Sequence, residues 1–108
     1  MSGIEDLPED LPERREPSDA VIRVLEIVNK KGLHARASAK FAQTVERFDA
    51  TVRVTRGGET VDGGSILDLL MLAAAPGTSI TVEATGREAN AVVDALEKLV
   101  AGGFGEDD

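Results

Sequence analysis

Apolar positions change period along this chain, and each change marks an element. Residues 21–28, "VIRVLEIV", are rich in β-branched side chains and too few for a helix. They predict a mostly buried strand with Val21, Leu25 and Ile27 toward the core. After Gly32 the spacing becomes helical. Phe41, Ala42, Val45 and Phe48 recur on one face of a helix predicted over 35–47, with Ser38, Lys40, Gln43 and Glu46 left to solvent. Val52 and Val54 then alternate with Thr51, Arg53 and Thr55 as far as Gly57-Gly58, which predicts a hairpin returning over 59–62. Gly63-Gly64 interrupt the chain. Ser65 and Asp68 supply an N-cap and a first-turn acid for a short apolar helix through Leu72. Pro76-Gly77 turns into another alternating strand, with Ile80, Val82 and Ala84 on one face. Thr85 and Glu88 have the spacing of a capping box for the last helix, whose stripe of Val92, Val93, Leu96, Leu99 and Val100 ends at Gly102-Gly103.

The order β-α-β-β-α-β-α predicts an α+β fold: a four-stranded, largely antiparallel sheet covered on one face by three helices. A ferredoxin-like arrangement is the competing topology. Residues 1–19 carry three prolines and little periodicity, and are expected to form a flexible acidic extension. The folded domain is expected over 20–103, with 104–108 as an acidic C-terminal tail.

Charge sharpens this division. The net charge of −8 comes from the ends: residues 1–19 hold seven acids against two arginines, Glu106, Asp107 and Asp108 add three more, and 20–104 balance ten against ten. Within the folded part no acid occurs between Glu26 and Glu46, while Lys30, Lys31, Arg36 and Lys40 all fall in that gap around His34. A locally positive surface suited to a small anion is expected there. Three phenylalanines, no Trp or Tyr, and acidic ends disfavour a nucleic-acid surface. The absence of cysteine excludes disulfides and thiol catalysis, and a lone histidine cannot close a protein metal site. The acidic start is no signal peptide, no apolar run is long enough for membrane insertion, and a cytoplasmic protein that needs no cofactor is expected.

The chemistry converges on His34, the single histidine, which falls at the N-cap of the first helix. Histidine is an unusual N-cap, where Ser, Thr, Asp or Asn offers a better acceptor. Its imidazole could only cap, or it could act as a nucleophile toward a phosphoryl group. The backbone N–H groups of Ala35, Arg36 and Ala37, with the positive end of the helix dipole, are placed to receive phosphate oxygens, and the Arg36 side chain to neutralise charge. The same field favours the neutral, nucleophilic ring. Gly32 permits close backbone approach on the entry side. No second catalytic group accompanies His34 nearby, which disfavours a stand-alone acid-base enzyme.

The segments "GLHARASAKF", "GGSILDLLML" and "GTSITVEATGREANAVVDALEKLV" resemble, in order and spacing, the HPr family of phosphocarrier proteins of the phosphoenolpyruvate-dependent phosphotransferase system. The resemblance implies an open-faced β-sandwich, a phosphohistidine at Nδ1 of His34 supplied by enzyme I, and delivery to an enzyme IIA-type acceptor. Ala37 stands where many sugar-branch members have proline, and "HARAS" is similar to the nitrogen-related branch, NPr, which serves regulation.

In the family, a serine opening the second helix can be phosphorylated by a dedicated HPr kinase/phosphorylase, and Ser65 occupies that place. Gly64 and Leu67 here replace the usual lysine and methionine, so Ser65 is equally read as a plain cap. Ile66, Leu67, Leu70 and Met71 are expected to form an exposed docking patch, with Leu69 and Leu72 in the core. A carrier that presents one face to successive partners is expected to be monomeric. The competing reading is a regulatory docking module of the same fold, switched at Ser65. Residues 58–65, "GETVDGGS", match the spacing of a phosphate-binding P-loop but have Gly64 where the lysine belongs, so nucleotide binding is not expected.

Overall fold

The structure, a computed structural model, describes residues 20–106. The expected extension over 1–19 and the last two residues lie outside the described part. Four strands form one sheet: β1 (Val21–Glu26), β2 (Thr51–Arg56), β3 (Glu59–Asp62) and β4 (Ser79–Thr85), in spatial order β1-β4-β2-β3. Three helices, α1 (Ala35–Glu46), α2 (Ile66–Leu72) and α3 (Ala89–Ala101), cover one face. All three strand pairings are antiparallel, and the two central strands are β4 and β2, where a ferredoxin-like sheet has β1 and β3, so the order excludes that alternative.

The pleat decides what each strand buries. Ile80, Val82 and Ala84 of β4, Val52 and Val54 of β2 and Leu25 of β1 point under the helices and meet Phe41, Leu69, Leu72, Val92, Val93 and Leu96. The intervening residues face outward, where Arg53 stands opposite Glu83 and Thr55 opposite Thr81 and Thr60. β1 is therefore half-buried rather than mostly buried: it lies at the sheet edge, with Ile22 60% and Val24 63% exposed. Its β-branched run marked a strand correctly but hid the alternation, because apolar residues occupy both faces. Arg23, on the helix side, ties this edge to Asp94 (2.8 Å) and Glu97 (2.6 Å) of α3.

Three local expectations are corrected. Ser38 is fully buried, its hydroxyl donating to the Leu33 carbonyl at 3.2 Å, which satisfies a polar group that helical spacing alone assigned to solvent. Thr85 and Glu88 form no capping box. Thr85 still belongs to β4, and the Glu88 carboxylate instead accepts from the Asp49 amide at 2.7 Å, fastening the loop after α1. The folded part also runs past 103: Phe104, at the centre of a 3-10 turn (Gly103–Gly105), is 1% exposed in the core. Burying this ring outweighs the acidic character of its neighbours.

Two backbone features position the functional end. Gly32 has φ +66°, and a Cβ there would stand 2.5 Å from the Ala74 carbonyl oxygen. The neighbouring Leu33 amide donates to that same carbonyl at 2.9 Å, joining the loop before α1 to the chain leaving α2. α2 ends on Ala73 in the left-handed conformation, φ 54°, which turns the chain back toward that contact. Replacing Gly32 by alanine is expected to lower unfolding stability by about 2–4 kcal/mol, from left-handed strain together with the carbonyl clash. Urea denaturation followed by circular dichroism measures it; a loss within experimental error would mean the loop re-routes without cost.

Candidate functional site

His34 caps α1 with its side chain. Its backbone is extended (φ −80°, ψ −172°), and its ring Nδ1 accepts from the Arg36 amide at 3.2 Å. The backbone carbonyl of His34 accepts from Ser38 at 2.8 Å, beginning the helical ladder. Nδ1 thus presents its lone pair to the helix N-terminus, and the Arg36 amide, expected to be open to an anion, is engaged by the ring. Ala35 and Arg36 are exposed, whereas Ala37 is fully buried. An open cavity of about 610 Å³ lies over the ring, lined by Lys31, His34, Ala35, Arg36, Lys40, Gly105 and Glu106. The basic surroundings expected for His34 are therefore assembled in space by Lys31, Arg36 and Lys40.

Sequence reasoning missed the residues on the other side of the ring. Glu106, counted there as part of an acidic tail, is bound by its carboxylate to His34 Nε2, and its side chain is only 10% exposed. Asn29, itself 2% exposed, donates through Nδ2 to Glu106 Oε1 at 3.0 Å and to the Gly32 carbonyl at 2.8 Å. Lys40 Nζ donates to the Phe104 carbonyl at 2.6 Å, which fixes the turn carrying Glu106. The available signal was "GGFGE", an aromatic ring set among glycines in a polar end. Among the described residues no cluster of potential ligands could hold a metal ion, and no helix is long and apolar enough to cross a membrane.

α2 emerges as expected. Ser65 Oγ accepts from the Asp68 amide at 3.2 Å and caps the helix. Leu69 and Leu72 are buried, while Ile66, Leu67, Leu70 and Met71 are exposed by 42, 65, 37 and 69%. Residues 58–65 form part of the hairpin and the turn into α2, not a phosphate loop.

The open-faced sandwich thus carries a ring-capped helix N-terminus in a basic cavity. A family model described as "PTS HPr component phosphorylation site" matches residues 21–102. The HPr phosphocarrier protein of Neisseria meningitidis serogroup B is 50% identical over 82 residues, covering 76% of this chain and 92% of that protein. The phosphocarrier protein NPr of Shewanella violacea is 40% identical over 84 residues, covering 78% and 92%. Among solved structures, HPr-C-His from Thermoanaerobacter tengcongensis superposes with a TM-score of 0.78 at 32% identity, covering 82% of this chain and 99% of that one. The chain belongs to the HPr family, and its function is that of a phosphocarrier of the phosphotransferase system.

The Asn29 amide, followed by the His34 ring and the positive charge of Lys31, holds the Glu106 carboxyl below its ordinary value of 4.5, against the opposing effect of desolvation. A carboxyl depressed by folding stabilises the native state above the unfolded value, and that contribution is lost as pH falls through the depressed one. Proton NMR of the Phe104 ring and the Glu106 side chain should therefore stay native-like from neutral pH down to 4.5 and move only below it. In Glu106→Gln the acid transition of this turn should be absent; its persistence would assign it to another carboxyl.

Proposed function

We propose that His34 is the phosphoryl acceptor, attacking through Nδ1, and that this chain relays phosphate from a phosphoenolpyruvate-charged enzyme I-type donor to an enzyme IIA-type acceptor. The observation that carries the reading is the orientation of the ring: Nδ1 faces the N-terminus of α1 beside a cavity lined by Lys31, Arg36 and Lys40. In the transfer a bond forms between Nδ1 and phosphorus while the donor's N–P bond breaks, its electron pair returning to the donor ring. Once Nδ1 is occupied it can no longer accept from the Arg36 amide, which is then free to donate to a phosphoryl oxygen. The cap therefore passes from nitrogen to phosphate without losing a hydrogen bond. The Arg36 guanidinium offsets the charge on the transferring group.

Docking of donor and acceptor is assigned to Ile66, Leu67, Leu70 and Met71, exposed on a helix whose exit is hydrogen-bonded to the residue before His34. "HARAS" and the 40% identical NPr relative support a regulatory, nitrogen-related role. The 50% identical relatives are named HPr, so comparing the rates with donors of the two branches decides between them. We further place the carrier in the cytoplasm as a monomer. The second reading, a docking module switched at Ser65 by an HPr kinase/phosphorylase, draws on the position of Ser65 at the start of that exposed helix. A phosphate there would set a dianion against an apolar surface and hinder docking.

Incubation with phosphoenolpyruvate and an active enzyme I should place an acid-labile phosphate on His34. His34→Ala should carry none, and Arg36→Ala should accept it roughly tenfold more slowly. An unmodified wild-type protein beside a functioning donor, or equal labelling of His34→Ala, would remove the relay reading. Leu67→Glu and Met71→Glu should each weaken donor binding by about tenfold in calorimetric titrations while leaving the fold intact. Unchanged affinity in both would move the docking surface elsewhere.

A further inference from the structure

The family model begins at residue 21, so residues 1–19 lie beyond the shared domain as well as outside the described residues. Their sequence is specific. Residues 5–13, "EDLPEDLPE", repeat an acidic pair, a leucine and a proline in tandem. With Ile4 they offer three apolar side chains and five carboxylates without a base, and Arg14 and Arg15 come only afterwards. The face around His34 offers the complement. Lys31, Arg36 and Lys40 line its cavity, while Ile66, Leu67, Leu70 and Met71 stand exposed on α2, which packs against α1. The acid in that cavity, Glu106, is already engaged by His34 and Asn29.

We propose that residues 4–13 dock on the face formed by α2 and the basic cavity, as an intramolecular stand-in for a partner that donor and acceptor must displace. The displacement rests on the relay reading, which brings those partners to the same face. Dimensions agree. The seven residues of α2 run roughly 10 Å, and Leu7 and Leu11 can stand up to about 14 Å apart, so both can be seated along the helix with the acids toward the cations. From Leu7 to Ala20 the chain reaches up to roughly 45 Å, against roughly 17 Å for the length of β1 and 14 Å for the width of the sheet. The other exposed apolar surface, Ile22, Val24 and Val28 along the β1 edge, is the poorer fit: Glu26 and Glu97 line the groove beside it and repel an acidic segment. Pro8 and Pro12 also lack the N–H groups that an added strand would donate. Tethering holds the segment at an effective concentration on the order of millimolar, so a weak contact suffices to compete.

Because the chain has no cysteine, Ser2→Cys accepts a nitroxide label at a single place in the full-length protein. In ¹H–¹⁵N spectra at low salt the label should broaden the amides of Ile66, Leu67, Met71 and Arg36 and spare Ile22 and Val24. The broadening should fall about threefold or more in about 1 M salt, and likewise when Leu7→Ser and Leu11→Ser are combined with the label. Broadening centred on β1, or none, would overturn the proposal. So would broadening of ¹⁵N protein by a separately labelled ¹⁴N copy, which would give the face to a second chain. In calorimetric titrations the Leu7→Ser/Leu11→Ser variant should bind enzyme I about threefold more tightly than wild type, and equal affinity would overturn the displacement. Failure of the relay looks different: His34 then takes no phosphate, while the label, which needs no donor, still reports where residues 4–13 dock.

Discussion

No room exists for a side chain at residue 32, and much of the functional end depends on that. The Ala74 carbonyl stands 2.5 Å from where a Cβ would lie, and the next amide, Leu33, bonds to it. This contact draws together the loop after β1 and the chain leaving α2, segments about forty positions apart in sequence. Leu33 then offers its own carbonyl to the buried Ser38 hydroxyl, and Asn29 grips the Gly32 carbonyl from the other side. The His34 backbone consequently enters α1 in an extended conformation with Gly32 and Leu33 before it restrained. A larger residue at 32 would loosen the presentation of the ring and the attachment of the exposed helix together.

Local patterns carried most of the architecture because the sheet is covered on one side and its strands alternate. Ile80, Val82 and Ala84 in β4 and the Val92-to-Val100 stripe in α3 are legible from spacing alone. The short helix was legible for another reason: seven residues cannot hide so many apolar side chains, so the division between Leu69 and Leu72 inside and Leu67 and Met71 outside followed from crowding. His34 was conspicuous as an unsuitable cap. What stayed hidden was non-local. The GGFGE stretch signals that this end packs, but not that the Glu106 carboxylate meets a ring 72 positions earlier, and Asn29 reads as an ordinary loop residue until both of its partners are in place. Glu88 shows the converse error: a correct capping-box spacing whose acid was recruited by a different loop.

The two faces of the sheet divide their roles. The face under the helices is apolar at its centre, with Arg23 at its edge, while the open face carries threonines and the opposed Arg53 and Glu83, with Ile22 and Val24 as its apolar exceptions on the edge strand. None of the residues assigned to phosphate handling or docking lies on that open face. The work of the molecule is concentrated where helix ends and loops meet, which leaves the sheet to act as a stiff backing.

In the proposed relay one lone pair on His34 is both helix cap and reactive electron pair, and it cannot be in two places at once. Whatever takes it, a proton included, releases the Arg36 amide, and whatever frays the first turn of α1 returns it to solution. The reactivity of the nitrogen and the local order of the helix are thereby two readings of one equilibrium, coupled reciprocally as any linked pair must be. The exchange rate of a single backbone amide, that of Arg36, becomes a gauge of how available the nucleophile is.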